Sequence, residues 1–273
     1  MPHVPKPSSA APQPESDPMN DSLVSFDQES RDALSEEERE YLFSLLQLSN
    51  SEMRTAIRSV PLSKDSEHPT RVEVIGAEGQ HSALMRIERH LKVRVRGSLG
   101  DYAFSMNDQT AAKIFGNVGH GVAEGMVSGS VRVRGHAGHG AATAMTGGTV
   151  AIYGNAGDRA GGAMRGGGLF VRGSVGNDVG LGALAGTIVI GGDAGDNLGD
   201  PLSDVTVFIR GTAKSLAEGV TAAKLRKKQE VQLGLLLITA GIRGDASDFR
   251  RIVPTAKLEA ENAARGEVVP NWR

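Results

Sequence analysis

Cysteine is absent from all 273 residues, which excludes a disulfide framework, a thiolate zinc site, a cysteine-held iron–sulfur cluster and a cysteine nucleophile. Aromatic residues are scarce at 4%, with one tryptophan, so a core has to be built from Val, Ile, Leu, Ala and Met. Charge of neither sign dominates: 30 Lys and Arg stand against 32 Asp and Glu, and the formal net charge is -2. The balance calls for neither nucleic acid nor an anionic membrane. No apolar run approaches the roughly 20 residues of a membrane span, and no secretory signal is apparent, so a reducing cytoplasm is the expected location.

Glycine, in contrast, is abundant. There are 36, and most lie in one central block. Gly-x-x-Gly pairs begin at Gly97, Gly116, Gly135, Gly154, Gly173 and Gly192, each 19 residues after the last, and Gly211 continues the series with Lys214 at its second position. A second glycine series, Gly129, Gly148, Gly167 and Gly186, keeps the same period.

The residues around each anchor glycine decide the architecture. Two before it stand Val95, Ile114, Val133, Ile152, Val171, Ile190 and Ile209; four before it stand Val93, Ala112, Val131, Val150, Leu169, Ile188 and Val207. Two after it come Leu99, Val118, Ala137, Ala156, Val175, Ala194 and Ala213. The positions between are mostly polar. Period-2 alternation makes each segment a strand with one buried face. A 19-residue unit cannot bury that face alone, but stacked units can. The pattern predicts an all-β solenoid, a single-stranded right-handed parallel β-helix of about seven 19-residue coils and roughly 34 Å height. Met126, Met145, Met164 and Leu202, ten residues past their anchors, form a further apolar column.

The flanks differ in composition. Residues 1–32 read as a disordered Pro/Ser-rich tail and residues 33–62 as a helical segment. Ser35 and Glu38 form a capping box, Leu42, Leu45 and Leu46 follow at helical spacing, and residues 50–59 make a second short helix. The β-helix is expected over 70–221, and 222–273 as a helix ending near Gly241 followed by an extended tail.

No motif commits the chain to chemistry. Gly191–Gly199 has the glycines of a phosphate loop without its strand–loop–helix setting. His120, His139 and Asp158 stand at equivalent positions in successive coils, a metal-like column; the turn preferences of His, Asp, Asn and Ser explain them better. No nucleophile setting is present, and no catalytic, cofactor or metal residue is assigned to this chain. The structural residues are the anchors Gly97, Gly116, Gly135, Gly154, Gly173, Gly192 and Gly211. Arg94, Arg96, Arg132, Arg134, Arg172 and Arg210, with Lys113, form a basic column on the outward strand positions. They are the candidates for contact with an acidic partner. Nucleic acid is not expected, because no aromatic interleaving accompanies the charges.

The block from Arg71 to Leu225 resembles the Gly-x-Gly-x-Gly β-helix family, which includes the C-terminal domain of the glutamate synthase large subunit. The motifs are MTGGTVAIYG at 145–154, GNAGDRAGGAMRGG at 154–167 and GDAGDNLGD at 192–200. RVEVIGAEGQHSALMR at 71–86, FIRGTAKSLAEG at 208–219 and DFRRIVPTAKL at 248–258 are most similar to the β-helix subunit of N-methylglutamate synthases and related complexes. The resemblance implies a non-catalytic scaffold in a hetero-oligomer. An amidotransferase-like subunit would carry an N-terminal cysteine. A flavin-dependent synthase subunit would carry FMN and an iron–sulfur cluster. The alternative is the β-helix component of formylmethanofuran dehydrogenase or of the formyltransferase/hydrolase complex, which has the same architecture.

Overall fold

The computed structural model describes residues 40–65 and 68–265. The expected tail 1–32, the Ser35–Glu38 capping box and the end of the C-terminal tail lie outside the described residues.

Strands β2 (Arg71–Glu78), β3 (Lys92–Ser98), β4 (Ala111–Ile114), β5 (Ser130–Val133), β6 (Thr149–Ile152), β7 (Arg165–Val171), β8 (Ala185–Ile190) and β9 (Thr206–Ile209) pair in parallel, each with the next. From β3 to β9 the register of the two inward columns advances by 19 residues per coil. Val95, Ile114, Val133, Ile152, Val171, Ile190 and Ile209 are therefore stacked and buried, as the sequence predicts for a parallel β-solenoid of about seven turns. A second parallel ladder of single bridges joins Leu99, Val118, Ala137, Ala156, Val175, Ala194 and Ala213. Each coil thus turns a corner between the strand and this bridge, and both sides feed one apolar core.

The anchor glycines are required by close approach between coils. A Cβ on Gly154 would stand 2.6 Å from the Gly135 carbonyl oxygen of the coil below. Positive φ is found throughout the second glycine series, where Gly148 has φ +82°, but among the anchors only at Gly97, φ +114°.

Three local expectations are overturned. Leu42, Leu45 and Leu46 do not lie on a helix. Glu40–Ser44 is strand β1, paired in parallel with β2. Tyr41 and Phe43 pack against the core while Leu42 is 43% exposed, so the residues alternate with period 2. A ready sheet edge at β2 outweighs the helical spacing of three leucines. The second expected helix is present as α1 (Asn50–Ser59), opened by a capping box between Ser49 and Glu52 that the sequence reading passed over. Met53 and Ile57 on α1, with Val60, close the first end of the core.

Leu202 does not continue the methionine column. Met126, Met145 and Met164 are fully buried, whereas Leu202 is 91% exposed. Pro201 begins a turn there, and Ser203 and Val205 are the buried residues of that coil.

The third correction concerns the C-terminal region. Beyond β10 (Val220–Lys224) and α2 (Lys227–Ala240), the expected extended tail contains β11 (Arg250–Pro254) and α3 (Thr255–Ala263). β11 runs antiparallel to β9, with Arg250 opposite Ile209, and β10 pairs antiparallel with β11. The open edge of the last parallel coil is covered in this way. Helix α2 ends at Gly241 in left-handed conformation, φ +71°.

Candidate functional site

Three side-chain columns on the coils bear on function. The first follows each anchor glycine by one residue: Ser98, Asn117, His136, Asn155, Ser174 and Asp193. Each side chain accepts the backbone N–H of the equivalent residue one coil on, at 2.7–3.1 Å. The second follows by four residues. Asp101 accepts from the His120 N–H, His120 Nδ1 from His139, His139 Nδ1 from Asp158, Asp158 from Asn177 and Asn177 from Asp196, at 2.7–2.9 Å. The expected local turn bonds are thus bonds to the next coil. Among the described residues no group of three or more His, Cys, Asp or Glu stands together as a metal site.

Two of these bonds hold the carboxylates that accept them in the charged form. The His120 backbone N–H holds Asp101 below the usual aspartate range, and the Thr212 backbone N–H does the same for Asp193. Asp196 is held low first by Lys214, whose ammonium lies 2.6 Å away and is raised in turn. Lys214 departs from the glycine pattern and makes this contact. Gly191–Gly199 forms one more corner with a bridge, not a loop leading into a helix.

The third column is the outward face of the parallel strands, which divides in two. One outward position runs Arg94, Lys113, Arg132, Ala151, Phe170, Val189, Phe208 through successive coils. The positions read as mostly polar are therefore apolar in the last four coils. Helix α2 explains the change. Leu233, Leu237 and Ala240, with Ile242 and Phe249, bury Ala151, Phe170, Val189 and Phe208 in a second core. Arg132 Nη2 donates to the Thr239 carbonyl at 3.2 Å and Tyr153 Oη donates to the Ala240 carbonyl at 2.9 Å, so both secure the negative end of the helix dipole.

The other outward position alternates Arg96, Phe115, Arg134, Tyr153, Arg172. Lys113 Nζ lies 4.7 Å from the Phe115 ring centre, with the Arg96 and Arg134 guanidinium carbons at 5.8 and 5.9 Å. Arg134 is also 5.7 Å from Tyr153. Aromatic interleaving does accompany the charges, contrary to the sequence reading. Spaced 19 residues apart, these rings are neighbours only once the coils stack. Cation–π contact eases repulsion between stacked cations, and Arg96 also pairs with Glu73.

The six candidate arginines fare differently. Arg94, Arg96, Arg134 and Arg172 are exposed. Arg132 is half-buried under the end of α2. Arg210 donates Nε to the Gly191 carbonyl at 2.8 Å and lies 5.9 Å from the Phe249 ring, engaged within its own chain. Of the leucines flanking the coils, Leu237 and Leu45 are buried internally. Leu42, Leu46 and Leu235 remain exposed, and Val231, Leu235 and Ile238 form an apolar stripe on the outer side of α2. Among the described residues no helix is long and apolar enough to cross a membrane.

No family model matches the chain. Over 87 residues it is 33% identical to Protein GlxC of Rhizobium meliloti (strain 1021). The aligned stretch covers 32% of this chain and spans 38% of that protein's length.

Proposed function

We propose that the chain is a scaffold subunit of a glutamate synthase-like complex of the N-methylglutamate synthase type. It would hold an amidotransferase-like subunit and a flavin-dependent synthase subunit at a fixed separation. The observation that carries this reading is the divided outward face. Its second half is covered by α2, whereas its first half presents the exposed Arg94 and, around Phe115, Arg96 and Arg134. Such a surface suits an acidic partner, and the apolar stripe Val231, Leu235 and Ile238 suits a second contact. The Gly-x-x-Gly period and the partial likeness to GlxC agree with the family resemblance. FMN and the iron–sulfur cluster belong, in this reading, to the synthase subunit. A rigid wall fixes the distance between two sites so that an amine or ammonia released at one is used at the other.

Reconstitution tests the proposal. The two partner subunits are mixed with and without this chain, and overall turnover and assembly are measured. Both should require it. Equal turnover and assembly without it would refute the scaffold role, and turnover by this chain alone would refute its non-catalytic part.

A further inference from the structure

Five residues past each anchor glycine, the backbone is left-handed in coil after coil: Tyr102, Gly121, Gly140, Arg159, Asp178 and Asn197 have φ between +56° and +68°. Two successive members of this column are glycines, bordered by Tyr102 on one side and Arg159 on the other. A groove of about 370 Å³ runs over them: at Gly140 the missing side chain leaves it open, whereas over Gly121 the Tyr102 ring and the Glu124 carboxylate close in, 2.7 Å and 3.0 Å from where a Cβ would stand. His120 and His139 line one side, and Glu124 and Thr143 the other.

The chemistry of the groove follows from bonds already described. The two imidazoles stack with ring centres 4.9 Å apart and planes 10° from parallel. Each Nδ1 accepts a backbone N–H at 2.9 Å, so a neutral ring carries its proton on Nε2. Both rings therefore have an Nε2–H donor free of that bond. Thr143 turns its hydroxyl proton to the Gly140 carbonyl at 2.8 Å. The side chains of Arg159 and Glu124 make no hydrogen bond or ion pair with another described residue. They lie two coils apart, about 10 Å along the stack, too far to pair with each other.

One cation and one anion thus border a slot floored by glycine backbone. A dianion would meet Glu124 unfavourably, and a simple cation would meet Arg159. A molecule with both charges satisfies both ends. We propose that the groove binds a small zwitterionic amino-carboxylate. Its carboxylate sits at Arg159 and an imidazole Nε2–H, its ammonium at Glu124, and its methylene chain over Gly140 and against the Tyr102 ring. None of these contacts depends on the chain being a scaffold.

The test uses the full-length chain and NMR of the His120 and His139 ring protons. The probes are 6-aminohexanoate, whose charges stand a little less than two coil spacings apart, and hexanoate, which lacks the ammonium. 6-Aminohexanoate should shift both rings saturably and bind about fivefold more tightly than hexanoate, the worth of one half-buried ion pair. Glu124→Gln should make the two probes equal, and Arg159→Asn should abolish the response. Gly140→Asn should also abolish it by filling the slot, since a Cβ there meets only Thr143 Oγ1, at 3.3 Å. Asn tolerates left-handed backbone, so both Asn variants should keep the fold. No saturable shift in the unaltered protein, equal affinity for the two probes, or full binding by a folded Arg159→Asn variant would overturn the proposal.

Discussion

Arg251 and Glu261 form a two-pronged ion pair, Nη1 to Oε1 at 3.0 Å and Nη2 to Oε2 at 2.8 Å, that ties α3 back onto β11. The Arg251 side chain is only 6% exposed, and Arg226 shares Oε2 at 3.1 Å. Glu261→Gln would leave a buried guanidinium without its counter-charge. A loss of about 2 kcal/mol is expected, below the range for fully buried pairs because Glu261 itself is 26% exposed. Chemical denaturation of the two proteins measures it; equal midpoints and slopes would show that the pair contributes nothing.

The same carboxylate gives a pH dependence. Arg251, then Arg226, holds Glu261 below its ordinary value of 4.5. The folded form therefore binds its proton less readily than the unfolded chain. The stabilisation is fully present above pH 4.5 and is lost as pH falls through the lower, folded value. Between pH 6 and pH 3 the difference in stability between the unaltered protein and Glu261→Gln should shrink. A constant difference would contradict the assignment.

The corner column predicts that shape matters more than charge. Asp193 accepts the Thr212 N–H at 2.7 Å, the same role that Asn155 and Asn117 play two and four coils earlier. Asp193→Asn should therefore fold with nearly unchanged melting temperature, whereas Asp193→Ala should melt lower because the Thr212 N–H loses its acceptor. Equal melting of the two variants would discount the inter-coil bond.

Two glycines should respond to alanine in opposite directions. Gly154→Ala forces a methyl against the Gly135 carbonyl and should cost about 2 kcal/mol or more. Gly234 sits inside α2, where an added Cβ would meet nothing within 4 Å, so Gly234→Ala should stabilise by about 0.5–1 kcal/mol. Thermal unfolding distinguishes them by the sign of the shift.

Val133 provides the test of the inward column. It is fully buried between Ile114 and Ile152. Val133→Asp should lower stability by about 3–5 kcal/mol, through an unpaired buried carboxylate. An unchanged melting temperature would place the residue in solvent and break the register.

Val133 was legible in the sequence because a 19-residue period repeats the same side-chain type at the same position until the inward columns are unmistakable. Strand β1 was not, since Leu42, Leu45 and Leu46 satisfy helical spacing and only the free edge of β2 selects a strand. Phe170 and Phe208 broke the polar outward pattern visibly, but their cover on α2 begins at Leu233, more than 60 residues beyond Phe170. The interleaving of Phe115 with Arg96 and Arg134 and the groove over Gly121 and Gly140 were hidden for a related reason. Each depends on neighbours one coil away, and a glycine in a left-handed turn looks the same whether it closes a corner or opens a slot.

The antiparallel pairing of β11 with β9 has a consequence for how such a molecule changes length. A parallel stack left open at its last coil would template another copy of itself; a strand of reversed direction ends that series, so its size is set by the terminator and not by the repeat. A 19-residue segment duplicated in the middle would meet the same partners above and below and leave the terminator in place. The distance between the two ends is therefore adjustable by inheritance in increments of about 4.8 Å, like a measuring rod lengthened one notch at a time.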